Sequence, residues 1–549
     1  MLSDMLVVRV FCFLGFVRYC VVGKFTCFAS LNVLFLLLVF RMTGVSSVLF
    51  VDNGGYTLKA LYFPDILRTD EKPPRVVVLP NCVGAASYVG RGIVGEQLSK
   101  LPHFHGFMVR RPVDRGFIVD AALQGYVWEY LLQHLAIADE RQVELVITVP
   151  FAAPKQIGEL LHYIVAQRFK FHAVTFVSST FLSLVASASS DWLCCRCKGT
   201  GAAEGKRKRM HPDSKSVGDT GGLTGSGIVV DFGFSSTTVV PYINFLPVRD
   251  SIVRIDVGGK LLCNRLKELI SFTQVNMAED GWLVNHIMEQ SCYAVLDPLT
   301  SLRVAKCGKR DRHQCGGVAE MRYYLPTLPP LMPLGCREGA IIQASGQRCC
   351  ATGKAGAPAR HFPSRGISHT RAPFSSGGCG HNQMGVVEAI VHGVSSRGSL
   401  QKVRALHQAM LHCVIAFGGV SNFANLRERL SADLQQHLPA EPSRGSASPE
   451  AGLAPLRDLV HRKDIKSVPM DDSSGGIGYT PRDNELQPLY GALALFTCPF
   501  REPQLRLLRD QCRVELHPTQ TGKGVQCKTQ ASGGSKSLNA ILLALQRLL

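Results

Sequence analysis

The sequence lacks a charge-free apolar run long enough to cross a bilayer. The longest, Phe25 to Phe40, is 16 residues, against the roughly 20 that a spanning helix needs. No small-residue cleavage site of a secretory leader follows it. A regular cysteine spacing is also missing. The 19 cysteines are scattered through a chain far longer than the small secreted scaffolds that disulfides staple, which points to a reducing compartment. Cys194, Cys195 and Cys197 contain one CxxC, but a zinc site needs a second pair or several nearby histidines, and only His211 is near. Buried strand-end cysteines are the expectation there. Cys349, Cys350 and Cys379 support nothing stronger. No Ser/His/Asp or Cys/His arrangement has a recognisable context, and His103 and His105 read as surface residues, so no catalytic residue is assigned. Acidic excess is lacking too: 60 Lys+Arg against 42 Asp+Glu give a net charge of +18 with His neutral. Such a chain is open to nucleic acid, acidic chaperones or anionic surfaces.

What is present is bulk. With 549 residues, 46% of them hydrophobic, the chain can bury a large core as two or more domains or one large bilobal unit. Residues 1–41 are rich in Leu, Val and Phe but interrupted by Arg9, Arg18 and Lys24. Met42 then opens MTGVSSVLFVDNGG, which runs straight into a strand. We expect residues 1–41 to be a non-native extension rather than a membrane anchor.

From Ser47 the apolar run SVLFVD ends in Asn53-Gly54-Gly55 and is followed by the extended YTLKALYF, a strand, a tight turn and a strand. RVVVLPN, GFIVD, the amphipathic AALQGYVWEYLLQHL and ELVITVPF continue a mixed α/β pattern. Asp120 is the expected N-cap of that helix and Trp128 lies on its apolar face. Residues 195–226 turn to Gly, Ser, Thr and charge and read as a basic insertion. GIVVDFGFSSTTVVPY then repeats the opening design, with Asp231 matching Asp52 and Gly233 matching Gly54, an internal duplication. After a Gly-, Pro-, Arg- and Cys-rich stretch relieved by MRYYLPTLP, the helix-like MGVVEAIVHGV leads to a buried strand, Gly418-Gly419 and a charged-faced helix. Pro439 to Pro455 is a small-residue linker. SLNAILLALQRLL at the end reads as a short amphipathic helix or an altered C-terminus.

A strand-end Asp before a Gly turn, present twice, is what a cleft needs to hold a Mg-nucleotide between two related lobes. Turn amides face phosphate oxygens, and the carboxylates of Asp52 and Asp231 hold water around the metal. Lys59 is placed to send a cation to the same phosphates, and Gly418-Gly419 to let backbone approach the nucleotide and offer a helix N-terminus. Each element alone is a common turn; three in order make the pattern.

On these residues the chain resembles the actin superfamily, whose fold is two ribonuclease-H-like lobes around a Mg-ATP cleft. Asp52, Gly54, Gly55 and Lys59 match its first phosphate loop, Asp231, Gly233, Phe234, Ser235 and Ser236 its second, and Gly418 and Gly419 its adenosine motif. Within the superfamily the likeness is to the actin-related protein 6 class. VVVLPNCVG, FKFHAVTFVSSTFLSLVAS, RIDVGGKLLCNRLKELISF, MGVVEAIV and GGVSNFANLRERL are similar to its segments, in order over Val48 to about Asp510 apart from the two insertions and the Pro439 to Arg482 region, and Val257 to Glu268 is the most class-specific. The implied organisation is a first lobe over 42–190 completed by 484–515, a second lobe over 227–480 with a low-complexity insertion at about 339–373, and a tail over 516–549.

The resemblance implies a structural subunit of a nuclear complex that exchanges histone variants, with ATP or ADP and Mg as ligand. The implied partners are a remodelling ATPase scaffold and a zinc-binding subunit, with histones reached indirectly and no membrane. Departures bear on activity. Actin has an Asp where this chain has Phe234, and a water-positioning Gln in the interlobe helix where this chain reads VSSTFLSLV. Binding with weak or absent hydrolysis is therefore expected. CATGKAGAPARHFPSRGIS replaces the family's ERF-type segment. KRKR at Lys206 to Arg209 reads as a nuclear-import signal, a DNA-phosphate contact or a solvated loop. The rivals are an active sugar-kinase or chaperone-type ATPase, for which no sugar-binding motif is visible, and a cytoskeletal polymer former. The short, non-actin loop between Ile66 and Leu101 argues against the latter.

Overall fold

The computed structural model describes residues 47–65, 74–86, 89–98, 107–193, 225–273, 276–297, 321–324, 336–337, 359–362, 383–394, 400, 404–437, 483–497, 513–516 and 539–543. The hydrophobic extension, Cys194 to Cys197, His103, His105, His211, the Lys206 to Arg209 cluster and the Pro439 to Pro455 linker lie outside the described residues. No helix among the described residues is long and apolar enough to cross a membrane.

Two sheets form the frame. The first has six strands. Strand β1 (Ser47–Asn53) pairs antiparallel with β2 (Thr57–Phe63), which pairs with β3 (Arg75–Pro80). On its other side β1 runs parallel to β4 (Val143–Thr148), which runs parallel to β5 (Ala173–Val177). The second sheet repeats that kernel. Strand β6 (Gly227–Phe232) pairs antiparallel with β7 (Thr237–Ile243), which also pairs with β8 (Leu246–Pro247) and β9 (Val253–Ile255). On its other side β6 runs parallel to β10 (Val414–Phe417). The chain returns late to the first sheet, where β11 (Arg513–Glu515) pairs antiparallel with β5.

Burial on both faces explains why these strands read as unbroken apolar runs rather than as alternating ones. In β1, Leu49 and Val51 face the first-lobe core with Trp128, Leu131 and Phe176, while Val48 and Phe50 face a layer shared by both lobes. In β6, Ile228, Val230 and Phe232 face the second-lobe core and Val229 the shared layer. Helix α1 (Ala121–His134) covers the outer face of the first sheet. Its N-cap is Asp120, whose Oδ1 accepts from the Leu123 N–H at 2.9 Å, and Trp128 is buried. Two helices fill the shared layer, α2 (Ser179–Leu193) leading out of β5 and α3 (Asp483–Thr497). Leu182 and Val185 of the former join Leu486, Leu489 and Tyr490 of the latter.

Two findings refine the sequence reading. The low-complexity stretch at about 339–373 contributes a strand, Ala359–Phe362, that pairs antiparallel with Met321–Tyr324, which also pairs with Cys336–Arg337. Composition could not reveal it because the pairing is non-local. The basic insertion also ends within the folded lobe: the Gly225 carbonyl accepts from the Phe245 N–H, and Ser226 Oγ from the Asn244 N–H at 2.9 Å.

Candidate functional site

The turns after β1 and β6 face each other across a cleft of about 550 Å³, a volume within the range of small-molecule sites. Asp52, Gly54, Gly55, Lys59, Asp231, Gly233, Phe234, Ser235, Gly418 and Gly419, dispersed over 368 positions (52 to 419), all line this cleft. The duplication is the reason, since each Asp ends the central strand of its own sheet.

Asp52 is fully engaged. Its Oδ2 accepts from Lys59 Nζ at 3.0 Å, a partner directly opposite on β2, and its Oδ1 from Thr148 Oγ1 at 2.8 Å. Thr148 Oγ1 in turn accepts the Asn53 N–H at 3.1 Å, so the end of β4 fixes the end of β1. Behind them runs a buried amide chain. Trp128 Nε1 donates to Asn53 Oδ1, Asn53 Nδ2 to Gln124 Oε1, Gln124 Nε2 to Asn81 Oδ1, and Asn81 Nδ2 to the Gly54 carbonyl. This chain sets the first turn from below and leaves its upper side to the cleft.

Asp231 is held differently. Its Oδ2 accepts from Ser179 Oγ at 3.1 Å, the first residue of the interlobe helix α2. Burial and the nearby Asp52 carboxylate push its carboxyl up to about 7, against the relief given by the Ser179 hydroxyl and the Lys59 ammonium. Lys59 is itself raised, its burial outweighed by Asp52, Glu485 and Asp231. The second turn rests on helix α4 (Gly259–Thr273), whose first N–H groups are spent on it: Gly259 N–H on the Gly233 carbonyl and Lys260 N–H on the Phe234 carbonyl at 2.8 Å. The class-specific Val257 to Glu268 stretch is thus the platform under the second loop.

Gly418 follows β10 at φ +103, where a Cβ would stand 2.5 Å from the Phe232 carbonyl oxygen, so only glycine fits. Its N–H donates to the Asn484 carbonyl at the start of α3. The expected helix N-terminus at Gly419 is not there. A 3-10 turn, Gly419–Asn422, intervenes and helix α6 (Leu426–Gln435) starts later, after Asn425 in the left-handed region. Helix α5 (Gly281–Ser291) brings Asn285, His286 and Glu289 to the far wall.

The lining carries the acidic side chains of Asp52, Glu289 and Glu485, and that of Asp231 once it loses its proton near pH 7, against Lys59 and Arg254. An acidic cleft of this kind repels a bare polyphosphate and accepts one already screened by a divalent cation. The residues fit a Mg-nucleotide. Asp231 has Oδ2 on Ser179, and its Oδ1, beside the cleft-lining Gly233 and Gly418, would hold a metal-bound water, whereas Asp52 is committed to Lys59 and Thr148 and would act by holding that cation in place. Thr148, Ser179, Arg111, Glu289 and Glu485 escaped sequence reasoning. Thr148 left a trace as the last residue of an apolar strand run, and Ser179 as part of VSSTFLSLV, where no role was assigned to it.

The actin family model matches residues 43–294. An actin-like protein of Caenorhabditis elegans is 27% identical over 396 residues, covering 71% of this chain and 79% of that protein. Actin-related protein 6 of Arabidopsis thaliana is 26% identical over 407 residues, 72% of this chain and 87% of that one. The rice protein of the same name is 27% identical over 271 residues, covering 49% of this chain and 55% of its own length. The chain has the actin-type fold, matches the actin family model over residues 43–294, and is similar to the actin-related protein 6 of plants and Dictyostelium.

Proposed function

We propose that this chain is a nucleotide-binding structural subunit of a nuclear chromatin-remodelling assembly that exchanges histone variants. The observation that carries the non-enzymatic part is Ser179. The polar side chains in the first turn of the interlobe helix, Ser179 and Thr180, are short hydroxyls, and that of Ser179 is spent on Asp231, so this helix offers no long amide to a water in line with a terminal phosphate. The remodelling role rests on the likeness to actin-related protein 6 and on the Val257 to Glu268 segment. Its partners are then a Swi/Snf-type ATPase scaffold and a zinc-binding subunit, with nucleosomal histones reached through them, and its place is the nucleus.

Two experiments test the two halves. Mg-ATP or Mg-ADP raises the melting temperature of the full chain by mass action, the shift collapses with EDTA because the cleft is acidic, and steady-state turnover stays near background. Equal shifts with and without the metal would remove the electrostatic argument. A tagged chain purified from nuclear extract recovers the ATPase and the zinc-binding subunit at near-equal stoichiometry. Sedimentation as a monomer, or with filaments, would overturn the assembly reading and leave the nucleotide reading standing.

A further inference from the structure

The two phosphate loops do not merely face each other; they touch. A Cβ on Gly55 would lie 2.7 Å from Ser235 Oγ and 3.4 Å from the Phe234 ring, so the backbone of the first loop lies against the second with no room for a side chain. Beside that contact, the Tyr56 and Phe234 rings sit 5.1 Å apart, within the range of favourable aromatic pairs. The Arg111 guanidinium lies 4.6 Å from the Tyr56 ring centre and 5.1 Å from that of Phe234, a cation on two π faces at once. It is held there by the carbonyls of Gly55 and Tyr56, which its Nη1 meets at 3.3 and 3.0 Å. From the second lobe Trp282 stacks on the other neighbour of the group, 6.3 Å from Tyr56, and Asn285 Nδ2 donates to the Tyr56 hydroxyl at 2.6 Å.

A second set of contacts closes the same rim. The hairpin Val113–Asp114 with Phe117–Ile118 reaches from the first lobe to β9 and α4 of the second. Lys260 Nζ meets Asp114 Oδ1 at 2.7 Å, Arg254 Nη2 donates to the Arg115 carbonyl at 2.7 Å, and the Arg254 guanidinium lies 5.6 Å from the Phe117 ring. The Lys260 pair is half-exposed and contributes little by itself. The aromatic group is the less exposed part: Tyr56, Phe234, Arg111 and Trp282 are each half-buried, and desolvation together with Glu289 holds the Tyr56 hydroxyl well above its usual pKa.

We propose that Tyr56, Phe234, Arg111 and Trp282 form a side-chain lock that holds the two lobes closed whether or not a nucleotide is bound. A cleft of this architecture that relied on nucleotide alone would have its loops bridged by phosphate and metal, and would open when empty. Here protein atoms bridge the loops directly, and Phe234 supplies an apolar face where an acid would repel Asp52 and Asp231. Nucleotide then adds stability without changing the outer shape, so the surface offered to partners is the same in the empty and filled states. This goes beyond nucleotide binding and does not depend on it.

Hydrogen exchange on the full chain, with and without Mg-ADP, tests the lock. In wild type, the amides of residues 54–57 and 233–236 stay protected without nucleotide, and adding Mg-ADP changes their exchange by less than about threefold. Phe234→Ala, with native circular dichroism, raises their exchange in the empty state by about tenfold or more. Tyr56→Phe removes only the hydroxyl that Asn285 binds and gives a smaller rise in the same segments. Should Phe234→Ala fail to fold, Tyr56→Phe together with small-angle scattering of wild type carries the test, the expected result being one radius of gyration with and without Mg-ADP. Strong protection of wild type only after Mg-ADP addition, a compaction on binding, or variants that exchange like wild type would each overturn the lock. Absence of any nucleotide binding would leave it intact, because empty-state protection is the quantity measured.

Discussion

Ser179 Oγ donates to Asp231 Oδ2 at 3.1 Å and so ties the first turn of the interlobe helix to the end of the second lobe's first strand. This one hydroxyl is the hydrogen-bond partner of a half-buried carboxyl whose titration is pushed up to about 7 by desolvation and by Asp52. The folded protein therefore holds this proton more tightly than the unfolded chain does. The stability it contributes is complete below about pH 4, where both states are protonated, and is lost as pH rises through about 7.

Asp231→Asn removes that titration while keeping a group that Ser179 can bond. Without nucleotide, the melting temperature of wild type falls between pH 5 and 8 relative to that of Asp231→Asn, by an amount on the order of a few kcal/mol in stability. Parallel pH profiles for the two proteins would mean that Asp231 ionises in the folded state as it does in water. The same substitution weakens the Mg-nucleotide shift, since a neutral amide orders metal-bound water less well than a carboxylate.

The Lys59–Asp52 pair gives a second test, because both side chains are about nine-tenths buried. Lys59→Met leaves Asp52 as an uncompensated buried charge with Asp231 nearby, and is expected to cost about 3–5 kcal/mol in urea unfolding. The double variant Asp52→Asn/Lys59→Met leaves no charge stranded and recovers a large part of that loss. If the double variant is no more stable than Lys59→Met, the pair is not the source of the penalty.

Adjacent glycines separate fold from site. Gly418→Ala forces a Cβ against the Phe232 carbonyl at a φ of +103, and about 2 kcal/mol or more of stability is lost. Gly419→Ala points its methyl into open space, so unfolding is unchanged within about 0.5 kcal/mol. Because Gly419 lines the cleft, that methyl takes space from a ligand, and the thermal shift with Mg-ADP shrinks. Equal unfolding free energies for the two variants would refute the cradle at Gly418.

The duplicated kernel was legible because its signal is local: an apolar run, an Asp and a Gly turn within a few residues, twice. What surrounds it was not. Thr148 meets Asp52 across 96 positions, Asn81 meets Gln124 across 43, and Trp128 meets Asn53 across 75, and no periodicity encodes such meetings. Ser179 looks in sequence like any serine opening a helix. Phe234 stood out as a departure at a loop position, yet its partners Tyr56 and Arg111 come from two other segments, and the Trp282 that meets Tyr56 from a third. The helix start expected at Gly419 failed because the turn after β10 tightens into 3-10 geometry first.

The catalytic expectation rests on reach. A serine hydroxyl stands one bond from Cβ, and in Ser179 it is turned onto Asp231, whereas a glutamine amide extends two bonds further and can both donate and accept. Orienting an attacking water is the main protein contribution to phosphate hydrolysis beyond binding and charge. Ser179→Gln should therefore raise steady-state Mg-ATP turnover above the near-background rate of wild type, by about tenfold or more. The nucleotide-induced melting shift should fall no further than in Ser179→Ala, because both variants lose the hydroxyl that bonds Asp231 and keep the loops. Ser179→Ala serves as the control: it removes the bond to Asp231 and pushes that carboxyl further up, so it lowers the shift and leaves turnover at background. Wild-type turnover of several per second, or a Ser179→Gln variant that binds normally and stays silent, would mean that something other than a missing amide governs hydrolysis in this cleft.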